Sequence, residues 1–348
     1  MRKKRKIPTL KDVAKLAGTS VSTASVVLSG TQKKFVSDTL RQRVLEAAKV
    51  LNYRPNITAR QMKGKSGRFL AILAPQFDNV FFNQVVIGAE SYANSRDYTL
   101  AIYSTYDQEE KELKFVDNLI SLQVDGILII PAQQKSRTVE MIRDAEIPYV
   151  VVDRPIFSDE HYELVAIDNY QAARDATEYL LSCGHTRIAF FGWESPLTTV
   201  TERIHGFRDA LLAAGIKPDP KGIVEVPRER GAAFQAAMEV LPGSDYTAVL
   251  AAQSNVGEGV VDALFQLGWE IPERMSVMLY GDPPWASLFR PKFSCVVQPH
   301  QQLGMKAAEL IIDRLENPHH EIRCEVFKAA LHVRDSVMDY RGLRAINS

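Results

Sequence analysis

The chain has 348 residues, too many for one ordinary domain and enough for two or three with cores of their own. Lys plus Arg and Asp plus Glu balance at 42 each, but not locally: through Ser66 sixteen basic residues face three acids, a net +13, and the remainder carries 26 against 39, a net −13. No apolar run approaches the roughly 20 residues that span a bilayer, and Cys183, Cys295 and Cys324 form neither a metal-ligand spacing nor a disulfide framework. A basic start on an acidic remainder points to a polyanionic partner for the first part alone.

Arg2 to Lys6 imitates the charged start of an export signal, but IPTLKDVAKL, which follows, is interrupted by Pro8, Lys11, Asp12 and Lys15. Export is therefore not expected, and the cysteines read as buried reduced thiols of a cytoplasmic protein.

Thr9 with Asp12 three residues on is a capping-box pattern, opening a short helix through Ala17. Gly18 supplies a sharp turn, Ser20 caps a second helix over Val21–Leu28, and Ser37 a third from Asp38 to about Leu51. Val13, Leu16 and Ala17 are placed to meet Ala24, Val27 and Leu28, with Val44, Leu45 and Ala48 closing the core. Two short helices joined by a glycine turn and backed by a third make a helix-turn-helix. The second helix of that motif enters the DNA major groove by its N-terminal residues.

Arg54-Pro55 ends the third helix, because the residue before proline avoids the α region. Asn56 then caps a segment over 57–63 of one or two turns, marginal by itself in water, before the linker at 64–67. From Phe69 the pattern changes to buried strands: FLAILAP, TLAIYS, GILIIP and PYVVVD, with helical periodicity over 81–96, 109–122 and 136–145. A second set follows, RIAFFG, IVEV, AVLAA and SVMLYG, with helices near 170–182, 201–214, 229–241 and 255–267. FSCVVQP and FKAALHV read as late strands around a helix at 301–315. Apolar strands alternating with helices predict an α/β body of parallel sheets covered on both faces, in two lobes with a cleft between them.

Ligands of open parallel sheets bind beyond the carboxyl ends of the strands. Those ends supply a candidate pocket: Phe77, Asp78, Asn79, Phe81 and Phe82; Gln133; Asp153 and Arg154; and, in the second lobe, Trp193, Arg203, Gln253, Asp282 and Trp285. Aromatic walls with a few hydrogen-bonding groups suit a small polar ligand such as a sugar or nucleobase.

KDVAKLAGTSVSTAS resembles the head of the LacI/GalR family of bacterial transcription regulators, NYRPNITARQM resembles its hinge, and the resemblance runs on to ALHVRDS near the end of the chain. FDNVFF resembles the family's first-lobe ligand loop, VVDRP and VAIDN its lobe-connecting segments, and CGHTRIAFFG and ERIHGFRDAL further signatures. The resemblance implies a helix-turn-helix head over 1–55, a hinge helix and linker over 56–67, and a two-lobe body of periplasmic-binding-protein type over 68–340. It implies late crossings that return the chain to the first lobe and then to the second, and it gives Arg203 a contact with the effector. For DNA it implies Thr9, Ser20, Thr23, Ser25 and Lys33 as contacts in the head and Asn56, Ala59 and Met62 in the hinge, with Met62 where a leucine usually wedges into the minor groove.

The departures from the pattern matter as much. Val21, Ser22 and Val26 hold the base-facing positions, and Val26 stands where an arginine often reads guanine; valine offers only apolar contact, as with a thymine methyl. Affinity must then lean on phosphate contacts from Thr23, Ser25, Lys33, Lys34 and the N-terminal lysines. Gln253-Ser254 replaces the usual Asn-Asp, and Gly281 stands where an aspartate often grips sugar hydroxyls.

The expected function is a sequence-specific regulator, a repressor, binding a near-palindromic operator as a homodimer and tuned by a small ligand. A regulator controlled by a protein partner, with no small effector, is the alternative. A solute-binding protein shares the body but needs export and no head. An enzyme is disfavoured because no GxSxG, no GxxxxGK[ST] and no metal cluster is found, and no cofactor is expected.

Overall fold

The computed structural model describes residues 8–28, 36–53, 67–77, 79–229 and 231–341. They fall into two compact units that divide between Gly67 and Arg68. The first unit holds α1 (Leu10–Ala17), α2 (Val21–Leu28) and α3 (Asp38–Val50). The capping box is formed: the Thr9 side chain accepts from the Asp12 N–H, and the Asp12 carboxylate accepts from the Thr9 N–H at 2.8 Å. Gly18 turns the chain at φ 63°, where a side chain would also strike Arg43, whose Nη2 donates to the Ala17 carbonyl at 2.7 Å.

Val13, Ala14, Ala17, Ala24, Val27, Val44, Ala47 and Ala48 form the head core. Leu16 and Leu45, expected there, are 54% and 50% exposed. At 100° per residue the buried stripe of α1 runs through residues 10, 13, 14 and 17 and that of α3 through 40, 44, 47 and 48. Leu16 and Leu45 lie off those stripes, and the small Ala14 and Ala47 take their places.

The second unit begins with β1 (Phe69–Ala74), α4 (Val80–Ser95), β2 (Thr99–Ser104), α5 (Glu109–Ser121), β3 (Gly126–Ile129), α6 (Arg137–Asp144), β4 (Tyr149–Val152) and β5 (Glu163–Ile167). It continues with α7 (Asn169–Ser182), β6 (Ile188–Trp193), α8 (Thr198–Ala213), β7 (Ile223–Val226), α9 (Ala232–Val240), β8 (Ala248–Ala251), α10 (Ser254–Gln266), β9 (Ser276–Tyr280) and β10 (Ser294–Val297). The last elements are α11 (His300–Glu316), β11 (Cys324–Phe327) and β12 (Ala330–His332).

Two six-stranded sheets result, ordered β11-β5-β4-β3-β1-β2 and β12-β10-β9-β8-β6-β7. All pairings are parallel except β10 with β12. The chain passes between the sheets at Asp168, at Gln298-Pro299 and at Lys328-Ala329, and α11 packs into the first lobe's core. FKAALHV is therefore not one strand but the end of β11, a crossing and β12. VAIDN is mostly strand, with the crossing at its Asp-Asn end.

Close helix contacts hold the first lobe in register. A Cβ on Gly304 of α11 would run into the Val85 carbonyl of α4, and one on Gly88 into the Gln301 carbonyl. Such backbone proximity is open only to glycine. Among the described residues no helix is long and apolar enough to cross a membrane. Cys183 and Cys295 are buried, while Cys324, expected to be buried, is exposed on edge strand β11.

Candidate functional site

In the head, α2 offers its N-terminus. Ser20 Oγ accepts from the Thr23 N–H at 3.1 Å and lies 2.8 Å from both Ser22 Oγ and Thr23 Oγ1, which ties three hydroxyls into one cluster. Val21 and Ser22 are exposed, Thr23, Ser25 and Val26 half-buried, and Thr9 is exposed at the start of α1. Lys33, Lys34, Asn56, Ala59 and Met62 lie outside the described residues, as does Asp78 of the body.

Within the body, a narrow cleft of about 50 Å³ lies between the lobes at the carboxyl ends of both sheets. Asn79, Phe81 and Phe82 line it from the start of α4, Asp153 and Arg154 from the end of β4, and Trp193, Arg203 and Gln253 from the second lobe. Asn79 owes its place to capping: its side chain accepts from the Phe81 N–H at 2.9 Å.

Arg203 is buried. Its Nε donates to Asn169 Oδ1 at 2.9 Å and its Nη1 to the Ala252 carbonyl at 2.6 Å, and the guanidinium stacks 3.8 Å from the Tyr280 ring centre. Tyr280 donates its hydroxyl to the same Asn169 oxygen at 2.9 Å, and burial raises its pKa to about 12. Arg154 lies 5.4 Å from the Phe82 ring centre and donates to the Pro131 carbonyl at 3.1 Å. Asp153 is buried with Oδ1 unpartnered, and desolvation pushes its carboxyl up despite Arg154 and Arg203 nearby. Gln253 accepts from the Trp193 N–H at 3.1 Å through Oε1, leaving Nε2 buried without a partner.

Four expected residues stand elsewhere. Asp282 is held by both terminal nitrogens of Arg334, at 2.8 and 2.6 Å. Burial pushes its carboxyl up, but the Arg334 fork prevails and holds it below the usual range. Trp285 donates Nε1 to Glu258 Oε1 at 3.1 Å and packs edge-on against Phe289 and Phe293, in the second lobe's own core. Phe77 is 42% exposed, and Phe77 and Gln133 are not among the residues lining the cleft. Arg203 thus faces Tyr280 and Asn169, and Asp282 is spent on Arg334.

Residues that the strand-end reading passed over include Arg228, Tyr280, Gln298 and Thr199. Arg228 follows IVEV by two residues, so the same rule applied to that strand finds it. Tyr280 is the last residue of β9, inside the strand, so a rule that looks beyond strand ends misses it. Arg228 also reaches across the cleft. Its Nη1 lies 2.5 Å from Asp107 Oδ2 in the loop after β2, and Arg154 Nη1 binds the other oxygen of that carboxylate. Among the described residues no group of three or more His, Cys, Asp or Glu is placed to hold a metal ion.

Residues 9–56 match the profile described as bacterial regulatory proteins, lacI family, and residues 177–337 match that of a periplasmic binding protein-like domain. The chain is 34% identical over 332 residues to the HTH-type transcriptional repressor PurR of Vibrio vulnificus (strain CMCP6), covering 94% of this chain and 98% of that protein. Among solved structures, the transcriptional regulator CelR–cellobiose complex is 29% identical with a TM-score of 0.73, over 94% of this chain and 99% of that one. The lac repressor dimer bound to operator and an anti-inducer is 23% identical and shares the fold, with a TM-score of 0.84 over 96% and 100%. Head, crossings and cleft agree with these matches: the chain belongs to the LacI family of bacterial transcription regulators.

Proposed function

We propose that the chain is a repressor that binds a near-palindromic operator as a homodimer, with a small polar ligand between its lobes setting operator affinity. The division of labour is a DNA-reading head over 1–55, a coupling hinge over 56–67 and a ligand-binding body over 68–340, in a cytoplasmic protein that is no enzyme. The carrying observation is the cleft itself. Three crossings join the lobes, aromatic rings wall the space between them, and Gln253 Nε2 is buried there without a partner. PurR, the relative, is a repressor, and the CelR complex contains a sugar; both support the reading.

A ligand changes DNA affinity only by its differential affinity for the two lobe arrangements. The test is fluorescence anisotropy of the full chain on an operator found by binding-site selection, with and without a panel of sugars, nucleobases and their phosphates. A ligand that shifts the isotherm supports the reading. Operator binding that none of them moves favours control by a protein partner, the reading to which Gly281, lacking the family's aspartate, lends weight. Absence of salt-sensitive DNA binding sinks the assignment.

A further inference from the structure

Three guanidinium groups face this cleft, each laid on an aromatic ring: Arg154 on Phe82, Arg203 on Tyr280, and Arg228 on Trp193 at 4.7 Å. Asp107 and Asp153 stand against them, with Glu112 near Arg154 and Glu202 near Arg203 further back, so the fixed charges are balanced and an anion must enter by displacing a carboxylate. The unpartnered Nε2 atoms of Gln253 and Gln298, both of which line the cleft, add further donors. Among the residues lining the cleft, Asp153 Oδ1 alone offers a buried unpartnered acceptor. Unpartnered donors outnumber the unpartnered acceptor, which calls for a ligand rich in acceptors.

Asp107 already shows how such a group would be held. Its carboxylate lies between Arg154 of its own lobe and Arg228 of the other, and Arg228 Nη2 also donates to Ser195 Oγ at 3.2 Å. The two arginines differ in freedom: the Arg154 side chain is 4% exposed and the Arg228 side chain 31%. Asp107 and Tyr106 before it both sit in the left-handed region, at φ 56° and 55°, which side chains other than glycine's adopt at a cost. A buried arginine, a freer arginine across the cleft and a carboxylate on a strained loop make a pair that a competing anion can open.

Resting on the cleft as the ligand site, we propose that the ligand is a small organic anion, a carboxylate or phosphate ester. Its anionic group competes with Asp107 for Arg154 and Arg228. Ligand uptake then exchanges a cross-lobe ion pair for ligand-mediated bridges, which ties lobe arrangement to occupancy.

Thermal melting and calorimetric titration of the full chain at constant ionic strength test this with inorganic phosphate, glucose 6-phosphate, glucuronate and glucose. The parent is compared with Asp107→Ala and Arg228→Met. Anions should raise the melting temperature and glucose should not. Asp107→Ala, freed of its internal competitor, should bind the same anion about tenfold more tightly, and Arg228→Met about tenfold more weakly. If Arg228→Met fails to melt cooperatively, Arg228→Lys, which keeps charge but loses the fork, should show the same weakening. A larger response to phosphate or to glucuronate separates the two sources of charge. Three results would overturn the proposal: glucose shifting the parent as far as the anions do, equal anion affinity in parent and Asp107→Ala, or Asp107→Ala unmoved by inorganic phosphate. The first leaves the cleft standing as the ligand site, and only failure of the operator assay with the whole panel removes it.

Discussion

Replacing Arg203 by alanine should destabilise the body as well as disable the cleft. The side chain is 8% exposed and makes two hydrogen bonds from a charged donor, to Asn169 Oδ1 and the Ala252 carbonyl. Each such bond is worth about 1.5–3 kcal/mol, and the stack on Tyr280 adds about 0.5–2 kcal/mol. Relief from burying a guanidinium offsets several kcal/mol of that sum, leaving a net loss of about 2–4 kcal/mol. For a body of this size the melting temperature should fall by roughly 4–12 °C. Circular-dichroism melts of the full chain would measure it, with Arg203→Met alongside. Methionine refills the volume but restores neither bond, so it should recover only part of the loss. Asn169 keeps its bond from Tyr280 in either variant, so unfolding of the whole lobe is not expected. Melting temperatures within about 1 °C of the parent for both variants would refute the reasoning and show that Arg203 is held for the ligand alone.

Gly281→Asp, which restores the family's carboxylate, should cost stability rather than gain ligand. Gly281 has φ 98°, and a Cβ there would strike Ser254 Oγ; a melting temperature at or above the parent's would contradict this. Glu112 is buried, with Oε1 accepting from the Ala132 N–H at 2.8 Å, and burial raises its pKa to about 7. The folded chain thus holds this proton more tightly than the unfolded one, so stability is full below the ordinary carboxyl range and about 3 kcal/mol is lost as pH rises through 7. Glu112→Gln should flatten that slope, read as melting temperature against pH; parallel curves would count against it. His300 behaves oppositely: burial lowers its pKa to about 4, so stability is lost as pH falls from the ordinary histidine range, and His300→Gln should resist acid better than the parent. Val26→Arg should move operator preference toward G·C at one symmetric pair of positions by about 1–3 kcal/mol; identical motifs from binding-site selection would show that residue 26 does not face the bases.

What could be read along the chain was whatever neighbouring residues decide between themselves. The capping box at Thr9, the Ser20 and Ser37 caps and the Gly18 turn are contacts within three or four residues. The central strands, FLAILA and SVMLY among them, are buried on both faces, so they appear as unbroken apolar runs. The edge strands β11 and β12 are half-exposed, leave no such run and meet at a crossing, and so FKAALHV read as one strand. The pocket list rested on chain position at strand ends, which brought in Phe82, Asp153, Arg203 and Gln253 together with Asp282 and Trp285. No local pattern separates the two groups. Asp282 is spent on Arg334, 52 residues on, and Asp107 meets Arg228 across 121 residues and two lobes. Charge pairing over such separations follows from how the sheets are stacked and where the crossings turn, so which carboxylates and guanidinium groups face the cleft was decided by the tertiary structure alone.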